Sequence, residues 1–181
     1  MVGSATDFDV VMPEGNEEQF IATARSLGYR RIVFLTDDMD YKAPKNKDVD
    51  VKTAYLLRNI SQLNLVRKRF DHIFADATRE LFESKVDFIA GLEESDRKDS
   101  FHYRSTSLNQ VHALLARKNG IILAFNFSTI LDDPFIMLGR MMQNASLVRK
   151  YKLQHSIFSF AKRPSEMRSR TVLDALDKML F

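Results

Sequence analysis

The sequence predicts an α/β fold, a β/α barrel of parallel strands. Strand and helix signals alternate through all 181 residues, several apolar runs are continuous rather than alternating, and the helical stretches between them carry one apolar stripe each. Continuous runs suit strands covered on both faces. Seven strands and about seven helices fit a TIM-like barrel lacking its last strand better than a short doubly wound sheet. With 45% apolar residues, the chain has one sizeable core to bury, so residues 1–181 are expected to form a single domain.

Phe8 to Met12 is expected to be the first strand, ended by Pro13 and Gly15, and Glu17 to Leu27 the first helix, closed by Gly28. Arg31 to Leu35 follows as the second strand. Thr36 to Asp50 has no apolar rhythm and holds Asp37, Asp38, Asp40, Pro44, Lys45 and Lys47, the composition of a loop. Thr53 to Leu57 gives a third strand, and Ser61 caps a helix that carries Leu63, Val66 and Phe70. His72 to Ala75 and Val86 to Gly91 are the fourth and fifth strands, separated by a short helix starting at Thr78. Glu93 to Arg104 reads as a second loop. A helix from Ser105 or Thr106 to Asn119-Gly120 is expected to turn Leu108, Val111, Leu114 and Leu115 inward.

Lys118 to Ala161 is the most strongly patterned stretch, a β-α-β unit. Ile121 to Phe127 is a buried strand; Asp133 caps the next helix and Pro134 takes its first position, where no amide is needed. Leu138, Met141, Met142, Ala145 and Val148 form its apolar stripe, Arg149, Lys150 and Lys152 close it, and His155 to Phe160 is the seventh strand. A final helix carries Val172, Leu173, Leu176, Met179 and Leu180. Acids at helix starts and bases at helix ends complement the helix dipole, so these charges have a structural reason before any functional one.

The net charge of +3 hides an asymmetry: residues 1–96 carry 13 Lys/Arg against 18 Asp/Glu, residues 97–181 carry 14 against 6. The second half is the expected side toward a polyanion. From Pro134 to Val172 there are eight bases, Arg140, Arg149, Lys150, Lys152, Lys162, Arg163, Arg168 and Arg170, against the one acid Glu166. These eight are the candidate nucleic-acid-binding residues. Arg58, Asn126 and Ser159, with Asn59 and Ser128 nearby in sequence, stand at predicted strand ends and are the candidate polar groups of the barrel mouth.

Absences bound the chemistry. There is no cysteine, which excludes disulfides, thiolate nucleophiles and cysteine-ligated metals. The sequence contains no phosphate-binding loop, dinucleotide fingerprint, G-x-S-x-G or H-E-x-x-H. His72, His102, His112 and His155 are far apart in sequence, so no catalytic residue and no metal ligand is assigned. Asp37, Asp38 and Asp40, and Glu93, Glu94 and Asp96, follow predicted strands, where oxygen ligands for magnesium would stand in a barrel enzyme. No apolar run of the roughly 20 residues a membrane span needs is present, nor a leader pattern, so the expectation is a soluble cytoplasmic protein without a membrane partner.

The order Ile122-Leu123-Ala124-Phe125-Asn126-Phe127-Ser128, Ile130-Leu131, Pro134, Arg140-Met141-Met142 and Val148-Arg149-Lys150-Tyr151-Lys152, followed by Ser159, Ala161 and Glu166-Met167-Arg168, resembles the protein component 3 family of archaeal ribonuclease P. The likeness extends from about Ser107 to Leu180, with Leu108-Asn109-Gln110-Val111 and Lys118-Asn119 matching the family's preceding helix. The resemblance implies a barrel related to metal-dependent phosphoesterases of the polymerase and histidinol phosphatase type, whose His-x-His metal motifs are absent here. It further implies a noncatalytic subunit that binds RNase P RNA, with the eight bases as candidate RNA contacts, and, as a heterotetramer, a small RNase P protein. It meets precursor tRNA indirectly, as the ribonucleoprotein removes 5' leaders. No cofactor is then expected on this chain, and magnesium is expected for the whole ribonucleoprotein. Family members continue by a further strand and helix beyond the position of Phe181, which leaves either an open barrel or one closed by another subunit. Two other readings compete: a metal-dependent phosphoesterase or nuclease on the same barrel, and an RNA-free protein-interaction scaffold.

Overall fold

The computed structural model describes residues 7–94, 99–100 and 103–181. Seven strands, β1 (Asp9–Val11), β2 (Arg31–Thr36), β3 (Asp50–Leu57), β4 (His72–Asp76), β5 (Phe88–Ala90), β6 (Ile122–Asn126) and β7 (His155–Phe158), pair in chain order, every pair parallel. The sheet nearly closes on itself. Across the seam between β7 and β1, the Val11–Ala161 bridge adds two backbone bonds, Met12 N–H to the Ala161 carbonyl and Phe160 N–H to the Val10 carbonyl, both 2.8 Å. The fold is therefore the expected seven-stranded β/α barrel, with one seam only partly laddered.

The crossover helices are α1 (Glu17–Ser26), α2 (Leu63–Val66), α3 (Arg79–Phe82), α4 (Gln110–Asn119), α5 (Ser128–Asp132) and α6 (Pro134–Tyr151), and α7 (Arg170–Leu180) follows the last strand. The segment between β2 and β3 is irregular as expected, held by Asx turns in which Asp38 and Asn46 accept backbone N–H groups. Asp133 caps α6 by accepting the Ile136 N–H at 3.2 Å, and Pro134 fills the first position.

Two apolar layers follow from the period-2 alternation of strands buried on both faces. Inside the barrel, Phe8, Phe74, Phe88, Phe158 and Phe160 cluster with Val10, Val33 and Ala54; Phe74 stacks on Phe88 at 4.4 Å and Phe8 on Phe158 at 5.5 Å. Outside, Ile73, Ile89, Leu123, Phe125 and Ile157 meet the helices.

Three expectations need correction. The helix after the second loop starts at Gln110, not at Ser105 or Thr106, because Asn109 is its cap and accepts the His112 N–H at 2.9 Å. With that start the inward stripe is Ala113 and Ala116; of the four expected residues Leu108, ahead of the helix, is fully buried and Leu115 packs partly buried against the core, while Val111 and Leu114 are about half exposed. On α6 the buried apolar residues are Met141, Ala145 and Val148, at i, i+4 and i+7, with Leu138 packed partly buried against the same core, and Met142 lies 60% exposed one position round the helix. On α7, Leu173, Asp177 and Leu180 take the same three positions, leaving Val172 and Met179 outside.

Candidate functional site

Parallel strands give a barrel two unlike rims. The C-terminal rim gathers the loops leaving the strands and the starts of the helices, and the N-terminal rim gathers the helix ends. At the C-terminal rim a cavity of about 940 Å³ opens, floored by Met12, Leu35, Leu56, Ala90 and Phe160. Asp76 and Asn126 share that inward-facing layer, and Arg58, Glu94, Asp132, Lys162 and Arg163 stand around it.

The three candidate mouth residues behave differently. Arg58 lines the cavity and reaches Asp37 at 3.6 Å. Asn126 also lines it, its side-chain oxygen accepting the Ser128 N–H and hydroxyl at 2.9 and 2.8 Å. Ser159 does not face the mouth, because Phe158 and Phe160 take the inward positions on either side of it. It is fully buried at the seam, where its N–H donates to Asp9 at 2.7 Å and its hydroxyl oxygen accepts the Arg168 N–H at 3.1 Å. Asn59 caps the short turn after β3 by accepting the Ser61 N–H.

The acidic clusters disperse. Asp37 pairs with Arg58, Asp40 with Arg69 at 3.2 Å, and Asp38 accepts the Asp40 N–H. Glu93, expected in a solvated loop, is fully buried and accepts the Asn126 N–H at 2.7 Å, above the point where the β5 ladder ends. Desolvation raises its pKa to about 7 against the lowering effect of that hydrogen bond. Asp96 lies outside the described residues. Among the described residues no three His, Asp or Glu side chains gather as a metal site.

The histidines are equally separate. His72 stacks on Phe8 inside the barrel at 5.3 Å, and burial lowers its pKa. His112 Nδ1 bonds the Ser107 carbonyl at 2.7 Å and its ring stacks on Phe82 at 4.5 Å. Buried His155 meets Asp177 of α7 at 3.0 Å. His102 lies outside the described residues.

The eight candidate bases do not form one surface. Arg140 is buried, 6% exposed, donating to Asp99 at 3.1 Å and to the Glu93 carbonyl at 3.0 Å, so its guanidinium ties α6 to the loop after β5. Arg170 is tied to Asp174 at 2.6 Å and to the Ile157 carbonyl at 3.4 Å. Arg168 lies over the Phe127 ring at 5.3 Å and donates to the carbonyls of Ser165 and Met167. Arg163 pairs with Glu166 at 2.6 Å, whereas Lys162 beside it forms no ion pair with a described residue. These last four belong to the C-terminal rim.

Arg149, Lys150 and Lys152 stand at the opposite, N-terminal rim. An 18-residue helix is about 27 Å long, which separates the two groups. Arg149 donates to the Leu180 carbonyl at 2.6 Å, at the end of α7, while Lys150 and Lys152 project exposed. Sequence alone does not reveal the company they keep: Lys68, Lys85, Arg117 and Lys118 lie exposed on the neighbouring helix-to-strand connections of that rim. Their signal is present in the chain as bases at successive helix ends.

Neither a family model nor a curated protein matches the sequence. Among solved structures, a chain from the cryo-EM structure of archaeal Ribonuclease P with mature tRNA is similar in fold. It has a TM-score of 0.75 and 20% sequence identity over 96% of this chain and 82% of that one.

Proposed function

We propose that this chain is a noncatalytic protein subunit of a ribonuclease P ribonucleoprotein, supporting the removal of 5' leaders from precursor tRNA. The observation that carries the reading is the fold likeness over 96% of the chain to a component of an archaeal ribonuclease P complex. The sequence resemblance from about Ser107 to Leu180, read without the structure, leads to the same family. In this reading the chain binds RNase P RNA and one small RNase P protein, as a heterotetramer, in the cytoplasm. Magnesium enters with the RNA, and the chain holds no cofactor of its own.

Several features support an assembly role. The floor of the mouth is mostly apolar, with Asp76 and Asn126 as its polar members, and below it phenylalanines fill the barrel. Outside, Phe135 is 88% exposed and Met142, two turns along α6, is 60% exposed, apolar surface suited to a protein partner. No helix among the described residues is long and apolar enough to cross a membrane.

The test is co-purification of the native protein, with sequencing of bound RNA and mass spectrometry of bound protein. Recovery of one structured RNA together with leader-removing activity is the expected result. Recovery of protein partners without RNA would favour the interaction scaffold. Phosphodiester hydrolysis by the isolated chain with magnesium or manganese, lost on Asp37→Ala or Asp38→Ala, would favour the enzyme.

A further inference from the structure

We propose that the RNA-facing surface of this barrel is its N-terminal rim along β4 to β7, where Lys68, Lys85, Arg117, Lys118, Lys150 and Lys152 form a cationic arc for a phosphodiester backbone. The inference rests on the ribonuclease P reading and adds the surface that reading leaves open. All six side chains are exposed, and none makes an ion pair with a described residue. They arise from four successive connections, α2 to β4, α3 to β5, α4 to β6 and α6 to β7, whose strands are neighbours in the sheet. With packed helices roughly 10 Å apart, the arc spans about 30 Å, the reach of several consecutive phosphates.

Helix-dipole complementation accounts for part of this set but not the rest. Arg117, Lys118 and Lys150 close helices long enough to carry a dipole. Lys68 and Lys85 follow α2 and α3, each of four residues, where the dipole is small. Lys152 sits in the left-handed region at φ 52°, where glycine would be the easier residue. Arginines are ion-paired at both rims, Arg67 with Asp87 and Arg69 with Asp40 beside the arc, and Arg58, Arg163 and Arg170 with Asp37, Glu166 and Asp174 opposite; the difference lies in the six bases of the arc that make no ion pair with a described residue, against Lys162 and Arg168 opposite. The cavity there is lined by the acids Glu14, Asp76, Glu94, Asp132 and Glu166 against three bases, an environment that repels phosphate.

The experiment compares two triple variants of the full chain, equal in charge change. One is Lys118→Ala/Lys150→Ala/Lys152→Ala on the rim; the other is Lys42→Ala/Lys45→Ala/Lys47→Ala on the loop between β2 and β3. Binding to an archaeal RNase P RNA transcript is measured against salt concentration, with circular dichroism to establish that both variants fold. Each phosphate left without its cation lowers the slope of log K against log salt by about 0.7–0.9, so the rim variant is expected to lose about 2 to 3 and the loop variant close to none. An unchanged slope in the rim variant, or equal losses in both, overturns the proposal. So does binding of the wild type to phosphatidylserine vesicles without binding to the transcript. A slope loss confined to the rim when co-purification yields no RNase P RNA sinks the ribonuclease P reading and leaves the rim. Co-purification with an unchanged rim slope sinks the rim alone.

Discussion

The Asp9 carboxylate accepts the Ser159 N–H at 2.7 Å, across the seam where β7 and β1 are joined by a single bridge. A side chain stands here in place of a ladder carbonyl. The device recurs around the barrel: Asp71, just before β4, accepts the Thr53 N–H at 2.9 Å, and Asp87, just before β5, accepts the Ile73 N–H at 2.8 Å. In each case an aspartate at or before a strand start bonds back to the preceding strand in barrel order. Asp71 and Asp87 are reached by water; Asp9 is fully buried.

That burial makes Asp9 a source of pH dependence. Desolvation pushes its pKa up to about 6, while hydrogen bonds from Ser159 and Val10 and the charge of Arg170 lower it. The folded pKa lies above the unfolded one, so the folded state binds more protons between them and stability falls as pH rises from about 4 to about 6. Glu93 acts the same way up to about 7. For Asp9, a shift of about two units corresponds to roughly 3 kcal/mol. Urea unfolding of Asp9→Asn, which keeps an acceptor for Ser159, is expected to show a flatter stability curve across that window. Parallel curves for the two proteins would remove Asp9 as the cause.

Arg140 and Asp99 form a largely buried pair, with side chains 8% and 12% exposed. Asp99 keeps Arg104 at 3.1 Å and the Ser105 N–H at 2.7 Å when Arg140 is removed, whereas the Glu93 carbonyl loses its donor, so Arg140→Ala is expected to cost about 1–3 kcal/mol in unfolding free energy. Its RNA-binding salt slope, measured under folding conditions, should match the wild type, because the guanidinium contacts protein. A slope loss without destabilisation would show that Arg140 reaches phosphate after all.

The fold was legible where pattern and burial agree. Ile122 to Phe125 is apolar throughout because both faces of β6 are covered, and Asp133-Pro134 marks the helix start found at α6. Legibility failed where polar groups are buried. Asp177 takes the central core position of α7 because His155 of β7 is there to meet it, and a single-sequence stripe has no means of seeing that partner. Glu93 and Asp9 are hidden for the same reason, since the N–H groups they satisfy come from strands 33 and 150 residues away. The candidate bases were visible as residues but not as surfaces, because α6 carries Arg140 and Lys150 toward different ends of the barrel.

The phenylalanine interior sets a further expectation. Phe74 is fully buried, stacked on Phe88 and edge-on to Phe158 and Phe160 at 6.0 and 5.9 Å. Phe74→Ala should cost about 3–5 kcal/mol, from the transfer energy forgone and the cavity left among rigid rings. Phe74→Leu keeps most of the volume and should cost distinctly less, with both read by urea unfolding. Equal costs for the two would mean that aromatic geometry, not filling, holds this core.

Lys152 separates stability from binding in one residue. It ends α6 at φ 52°, ψ 52°, with its N–H bonded to the carbonyls of Val148 and Arg149, a conformation that costs a residue with a Cβ about 1 kcal/mol. Lys152→Gly relieves that strain and keeps the backbone bonds, so unfolding free energy should rise by about 0.5–1 kcal/mol. The same change removes a cation from the N-terminal rim, and the salt slope for an RNase P RNA transcript should fall by about 0.7–0.9. Thermal unfolding and the salt titration are then expected to move in opposite directions. A glycine variant that gains stability and binds with an unaltered slope would show Lys152 to be a helix end only, and would remove it from the arc.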